Sequence, residues 1–299
     1  MARQDPTTLL TPEMVNSVSG LSLIAKVVVE GFMAGINSSV RVGPGMEFSQ
    51  YRGYERGDDL RLLDWKMLAR SGRYYIKQSE IESHVTIKFI VDASASMEHT
   101  EDGLSKLQLA RAIIACLAYL AHGQGDAVGL FALNENETKQ VYPKTDQKQF
   151  QRMLFELLKV NAQGKWPKTA VSAKNIQGRG DKELLFFITD MYEEGQELTH
   201  FITGLRTPRN EVAVLHLMGR AERELGYQDQ VTFEDLETGA KVKVDVKRAR
   251  KEYLRALEEK TTTIKDALLH KGIGYHQFQM DEPLGALLAA FLKERKKIR

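Results

Sequence analysis

Residues 85–97 have the sequence VTIKFIVDASASM. The first seven are mostly β-branched or aromatic, which is typical of a strand that is buried on both faces. Asp92, Ser94 and Ser96 follow at once, and a helical pattern comes next. In open α/β sheets, ligands bind in loops at the carboxyl ends of strands, and these oxygen-bearing side chains suit a hard cation such as Mg²⁺ or Mn²⁺. The same residues could instead cap the helix or close a turn.

A second strand repeats this arrangement further along the chain. Residues 183–190 are an apolar run that ends in Thr189 and Asp190. Strands alternate with helical patterns throughout the second half of the sequence, which predicts an α/β fold with a doubly wound, mostly parallel sheet. Residues 229–247 interrupt this rhythm with alternating apolar residues around a glycine turn, and we expect a β-hairpin insertion there.

Three regions are expected along the chain. Residues 1–20 predict a flexible lead-in, residues 21–82 an N-terminal α and irregular segment packed on the main domain, and residues 83–299 the main α/β domain. Residues 47–77 mix charges of both signs with aromatic rings, which favours a packed segment with internal ion pairs. A platform for nucleic acid is the alternative, but the five carboxylates of this segment would repel phosphate.

Composition narrows the class of protein. The 299 residues carry a formal net charge of +2, so bulk electrostatics favour neither nucleic acid nor a membrane surface. Cys116 is the single cysteine, which suits a reducing cytosol and a core position. The sequence shows no apolar run long enough to span a membrane and no signal-peptide pattern at its start. We therefore expect a cytoplasmic protein.

The polar residues at the two strand ends are expected to meet. Neighbouring parallel strands end at the same edge of a sheet, so Asp92, Ser94, Ser96 and Asp190 could surround one cation. A threonine from the intervening loop would complete the ring of ligands, and Thr169 is the nearest candidate.

These residues resemble the metal-ion-dependent adhesion site of von Willebrand factor A domains. In that family two serines and a threonine ligate Mg²⁺, and aspartates hold it directly or through water; Mn²⁺ or Ca²⁺ are alternatives. Residues 41–77, with the sequence RVGPGMEFSQYRGYERGDDLRLLDWKMLARSGRYYIK, resemble the signature of a bacterial subfamily labelled a domain of unknown function. Its members are often encoded beside MoxR-type AAA+ ATPases, so the resemblance implies such an ATPase and a client protein as partners.

One motif departs from the family pattern. Where the family has Gly-Gly-Thr before its third ligand, this chain has GKWPKT at 164–169. Lys165 and Lys168 therefore accompany Thr169, and their charge could repel a cation.

Three functions fit these features. The first is a non-enzymatic protein-binding module that recruits a partner's carboxylate through the metal. The second is a structural scaffold with a vestigial metal site. The third is a Mg²⁺-dependent hydrolase, with Asp92 as nucleophile or with the metal activating water, although the sequence has no phosphate-cradling loop and no nucleophile elbow.

Overall fold

The computed structural model describes residues 9–39, 50–55, 58, 63–78, 85–167, 173–178, 182–193, 195–227 and 229–298. The helices and strands within these ranges are, in chain order, α1 (Pro12–Val15), α2 (Val18–Ser39), β1 (Gln50–Gly53), α3 (Trp65–Ser71), β2 (Tyr75–Gln78), β3 (Thr86–Asp92), β4 (Thr100–Glu101), β5 (Leu104–Ser105), α4 (Lys106–Gly123), β6 (Ala127–Leu133), β7 (Thr138–Lys144), α5 (Gln147–Leu158), α6 (Ala173–Ile176), β8 (Glu183–Thr189), α7 (Glu197–Leu205), β9 (Asn210–Met218), α8 (Arg220–Glu224), β10 (Gln230–Glu234), β11 (Lys241–Asp245), α9 (Val246–His270), β12 (Gly274–Gln279) and α10 (Leu284–Ile298). A 3₁₀ turn at Ala95–Glu98 follows β3.

Six of these strands form the main sheet, in the order β12-β9-β8-β3-β6-β7. All neighbouring pairs are parallel except β6 with β7, which is antiparallel. After β3 the chain first adds β6 and β7 on one side, and then adds β8, β9 and β12 on the other. The predicted α/β, doubly wound, mostly parallel sheet is confirmed, and its topological switch point lies between β3 and β8.

Each face of the sheet has its own apolar core, because successive strand residues point to opposite faces. Phe89 of β3 stacks on Phe186 of β8, with ring centroids 5.6 Å apart, on the face covered by α2, α4, α5 and α10. Ile90 and Phe187, one residue further along each strand, pack on the opposite face with α7 and α9. Both strands are therefore buried on both sides, as their continuous apolar runs predict.

Helix α4 begins with a reciprocal cap, which explains why it starts where it does. The Ser105 hydroxyl accepts from the backbone N–H of Gln108, and the Gln108 side chain accepts from the backbone N–H of Ser105. Further along the helix Cys116 is buried, and burial raises the pKa of its thiol. Cys116 therefore packs as a small core residue, as expected.

The predicted hairpin insertion is confirmed. Strands β10 and β11 are antiparallel, and their register runs from Gln230 opposite Asp245 to Glu234 opposite Lys241. This hairpin forms a two-stranded sheet of its own, separate from the main sheet.

The chain divides into two compact units, Ile36–His84 and the remainder. In the smaller unit β1 pairs with β2, and the Asp64 side chain caps α3 by accepting from the backbone N–H groups of Lys66 and Met67. Asp64 thus has a local capping role. Residues 9–20, which the sequence predicts as a lead-in, contain α1 and the start of α2, and Val15 is buried.

None of the helices in the described ranges is both long enough and apolar enough to cross a bilayer.

Candidate metal-binding site

The candidate site lies where β3 and β8 end side by side. Asp92 is the last residue of β3, and Asp190 directly follows β8. The two strands are parallel neighbours, with Val91 opposite Ile188. Since this is the switch point of the sheet, the chain continues from β3 to α4 on one face and from β8 to α7 on the other, and open α/β sheets bind ligands at such points. The fold therefore brings the two aspartates to one place.

The Asp92 carboxylate is held by both strands. Its Oδ1 accepts from the backbone N–H of Ser94 at 3.0 Å, and its Oδ2 accepts from the Thr189 hydroxyl at 2.8 Å. Asp92, Ser94 and Thr189 are all completely buried. The sequence pattern gives Thr189 only as the residue before Asp190, whereas the structure makes it a hydrogen-bond donor to Asp92.

The hydroxyls of Ser94 and Ser96 connect the loop after β3 to Asp190 through hydrogen bonds. Ser94 Oγ lies 3.0 Å from Ser96 Oγ, and the Ser96 hydroxyl donates to Asp190 Oδ1 at 3.2 Å. The structure thus brings together four of the five predicted ligands, Asp92, Ser94, Ser96 and Asp190. The fifth, Thr169, and its neighbour Lys168 lie outside the described residues.

Lys106 also belongs to this site, although the sequence pattern assigns it no role. Its Nζ lies 3.0 Å from Asp190 Oδ2 and 2.6 Å from Glu222 Oε1, and the lysine side chain is buried. Lys106 is the first residue of α4, where the helix dipole disfavours a positive charge. A lysine at that position, directly before an apolar helix face, was the available signal that an anionic partner lies close by.

The pKa values of the two aspartates are shifted in opposite directions. Burial, and next the charge of Asp190, raise the pKa of Asp92 to about 6. For Asp190, burial alone would raise the pKa, but the Lys106 ammonium and the backbone N–H of Tyr192 outweigh burial. The pKa of Asp190 therefore lies below its ordinary value. Conversely, burial opposes the charge of Lys106, while Asp190 and Glu222 together raise its pKa. Asp190 is thus held as a carboxylate by Lys106, whereas no cation among the described residues pairs with Asp92.

A histidine on the next strand adds no positive charge. Burial lowers the pKa of His216 to about 4, against the opposing influence of Asp190. Its Nδ1 lies 2.5 Å from the Tyr275 hydroxyl. At neutral pH His216 is therefore a neutral neighbour of Asp190.

The donor set fits a small hard cation. Two carboxylates and two hydroxyls supply oxygen ligands, which Mg²⁺, Mn²⁺ and Ca²⁺ prefer. In the described part of the chain, no three His, Cys, Asp or Glu side chains are grouped to hold a metal ion. A cation here would consequently depend on Ser94, Ser96 and water besides Asp92 and Asp190. Burial and the charge of Asp190 raise the pKa of Asp92, and a bound cation would lower it again by favouring the carboxylate.

The sequence matches one family model, described as "Protein of unknown function DUF58", over residues 50–263. The chain belongs to the DUF58 family. Uncharacterised proteins of Mycobacterium bovis and Mycobacterium tuberculosis are 28% identical to this DUF58 chain over 143 residues, which is 48% of this chain and 45% of theirs. The match thus spans less than half the length of these curated relatives.

Solved structures show more distant similarity to this DUF58 chain. BatB from Bacteroides thetaiotaomicron is 12% identical, with 71% of this chain and 99% of that chain covered and a TM-score of 0.44. A von Willebrand factor type A protein from Catenulispora acidiphila is 17% identical, with 74% and 42% covered and a TM-score of 0.39. Because both TM-scores are below 0.5, the fold assignment depends on the strand order and strand directions of this chain.

Proposed function

We propose that this DUF58 protein is a non-enzymatic protein-binding module whose contact with its partner depends on a divalent cation. The observation that carries the proposal is the convergence of Asp92, Ser94, Ser96 and Asp190 at the switch point of the sheet. Mg²⁺ is the expected cation, with Mn²⁺ or Ca²⁺ as alternatives.

The charges of these side chains favour binding over hydrolysis. Ser94 and Ser96 are neutral donors, and the charge of Asp190 is already shared with Lys106. A bound divalent cation would keep much of its positive field and would supply a Lewis-acidic position for a carboxylate from another protein. The residues of this chain would then orient the cation and leave its outer position open to the partner.

The resemblance noted from the sequence suggests the partners. We propose a MoxR-type AAA+ ATPase as the protein that presents the carboxylate, with a client protein whose assembly or maturation the pair supports. A cytoplasmic location belongs to the same proposal and is suggested by the single, buried Cys116.

One observation favours a second candidate function, a scaffold that needs no metal. Lys106 Nζ already lies 3.0 Å from Asp190 Oδ2, so the site contains a permanent cation. If this ammonium suffices to hold Asp190, the loop arrangement would persist and partners could bind it without a metal.

Calorimetric titration with Mg²⁺, Mn²⁺ and Ca²⁺ separates the two candidates. We expect saturable binding by the wild-type protein and its loss in the Ser94→Ala/Ser96→Ala double variant. Ser71→Ala is the matched control, because the exposed Ser71 hydroxyl donates to the Met67 carbonyl within its own helix. Circular dichroism of all three proteins would establish that the fold is retained. The scaffold would be preferred if none of the three metals bound.

Capture of a purified MoxR-type ATPase tests the partner. Immobilised wild-type protein should retain the ATPase in Mg²⁺ and release it in chelator, and the double serine variant should retain little in either condition. Retention that is equally strong in chelator would show that the cation is not the contact.

A further inference from the structure

The loop of the β10–β11 hairpin is tied to the candidate metal site by a continuous series of hydrogen bonds. The backbone N–H of Tyr192 donates to Asp190 Oδ1 at 3.1 Å, and the Tyr192 hydroxyl donates to Asp235 Oδ2 at 2.6 Å. Asp235 Oδ1 in turn accepts from the backbone N–H of Glu237 at 2.8 Å. Asp190 and Glu237 are therefore connected through two intervening side chains.

The hairpin loop has a defined conformation beyond this anchor. Asp235 Oδ1 also accepts from the backbone N–H of Thr238 at 3.0 Å, and the backbone N–H of Gly239 donates to the Asp235 carbonyl at 2.8 Å. Gly239 has a φ of 70°, in the left-handed region that glycine adopts without strain. These hydrogen bonds therefore fix the backbone of the loop at Glu237.

One oxygen of the Glu237 carboxylate is left without a hydrogen bond in this loop. This atom, Oε1, is buried and has no hydrogen-bond partner among the described residues. Burying a carboxylate oxygen without a hydrogen-bond partner is unfavourable. Such an atom is stabilised by a bound cation or by a hydrogen-bond donor. Burial, and next the charges of Asp92 and Asp190, raise the pKa of Glu237 to about 7, while Lys165 opposes the rise. The carboxylates that act most strongly on Glu237 are thus those of the candidate metal site.

We infer that Glu237 is a further carboxylate of the cation site, contributed by the hairpin insertion, and that cation binding holds the hairpin loop against the ends of β3 and β8. This inference rests on the proposed function, because it needs a divalent cation at Asp92 and Asp190. Among the described residues no three carboxylates are grouped to hold one ion, so Glu237 would act on the cation from outside its direct ligands. The insertion then has a role: its loop covers the site and limits which carboxylates of a partner can reach the metal.

Calorimetric titration of Glu237→Gln with Mg²⁺ tests the inference. The substitution keeps the size of the side chain and removes its charge, and we expect the affinity for Mg²⁺ to fall about tenfold, as for other residues that act on a metal from outside its direct ligands. Glu234→Gln is the matched control. Glu234 lies on the same hairpin, is exposed and pairs with Lys241 at 3.1 Å, so its variant should bind Mg²⁺ like the wild type.

Hydrogen exchange of residues 234–240 gives a readout that is independent of affinity. Saturating Mg²⁺ should slow exchange in this loop in the wild-type and Glu234→Gln proteins and leave it unchanged in Glu237→Gln. Tyr192→Phe, which removes the hydroxyl that anchors Asp235, should weaken the same protection.

The outcomes separate this inference from the proposed function. If the wild-type protein binds Mg²⁺ and Glu237→Gln binds it equally well with equal loop protection, the inference is wrong and the proposed function stands. If the wild-type protein binds no divalent cation, the proposed function fails and the inference fails with it.

Discussion

Lys106 Nζ lies 3.0 Å from Asp190 Oδ2, and each of these side chains is only 2% exposed. This ion pair joins the start of α4 to the end of β8 inside the candidate metal site. It determines how much negative charge remains for a cation, and it makes Lys106 both a structural residue and a competitor of the metal.

Lys106→Met should lower the free energy of unfolding of the metal-free protein by about 3–5 kcal/mol, because Asp190 would be left as a buried charge without its partner. Saturating Mg²⁺ should reduce this loss, since the cation takes over the neutralisation of Asp190. Urea unfolding with and without Mg²⁺ measures both effects. Lys247→Met is the control, because Lys247 pairs with Asp229 at 3.3 Å in a fully solvated position, and such a pair contributes at most about 1 kcal/mol. Equal stabilities for the two variants would contradict the prediction.

Asp92→Asn should make the metal-free protein at least as stable as the wild type at neutral pH. Burial and Asp190 raise the pKa of Asp92 to about 6 from 3.8, so the folded protein binds this proton more tightly than the unfolded chain does. The resulting stabilisation is complete below about pH 4 and is lost as pH rises through about 6. The loss amounts to as much as about 3 kcal/mol, at about 1.4 kcal/mol per pKa unit. Asparagine does not titrate, so the variant does not lose this stability as pH rises. Urea unfolding in chelator at several pH values between 4 and 7 checks this, and a steeper decline in the variant than in the wild type would refute it.

Lys88→Met should destabilise the protein by about 3–5 kcal/mol without a direct effect on the candidate metal ligands. Lys88 Nζ lies 2.5 Å from Glu183 Oε1 and donates to the Ile176 carbonyl at 2.6 Å, while Glu183 Oε2 accepts from the backbone N–H of Gly178. The double variant Lys88→Met/Glu183→Met should recover much of the loss, because it leaves no unpaired buried charge. A double-mutant cycle in urea gives the coupling energy. Additive losses would show that the two side chains do not stabilise each other.

Two glycine-to-alanine substitutions should have opposite signs. A Cβ on Gly129 would lie 2.8 Å from the Val141 carbonyl oxygen, at the irregularity between β6 and β7, and this overpacking should cost about 1–3 kcal/mol. Gly31 is exposed in α2, where nothing lies within 4 Å of an added Cβ, so alanine should stabilise the helix by about 1 kcal/mol. Thermal unfolding of both variants tests the pair, and a shift of the same sign in both would contradict it.

Local sequence patterns were sufficient to predict the architecture. Strands β3 and β8 have continuous apolar runs because both their faces are covered, and that burial is visible in the sequence. The glycine turn between two alternating segments likewise predicted the hairpin at β10 and β11. The division of the chain into three regions stays a prediction. The charge pairing expected within residues 47–77 also stays a prediction, because much of that segment lies outside the described residues.

The candidate ligands could be predicted where they stand at the ends of strands. Asp92 and Asp190 each occupy the first polar position after a buried run, and parallel strands that end at one edge must bring such residues close together. Lys106 and Glu237 could not be predicted in this way. Lys106 reaches Asp190 across 84 positions of the chain, and its role depends on how α4 packs against the end of β8.

The amino-acid sequence by itself determined which residues of this protein are buried strands, where those strands end and which oxygen-bearing side chains stand at their ends. Only the tertiary structure decided the charge balance of the site, because it placed the Lys106 ammonium against Asp190 and let the charges of both aspartates act on the Glu237 carboxylate of a distant hairpin. The physical reason is that burial patterns are periodic and local, whereas the energy of a charge depends on every other charge that the fold brings within a few ångströms.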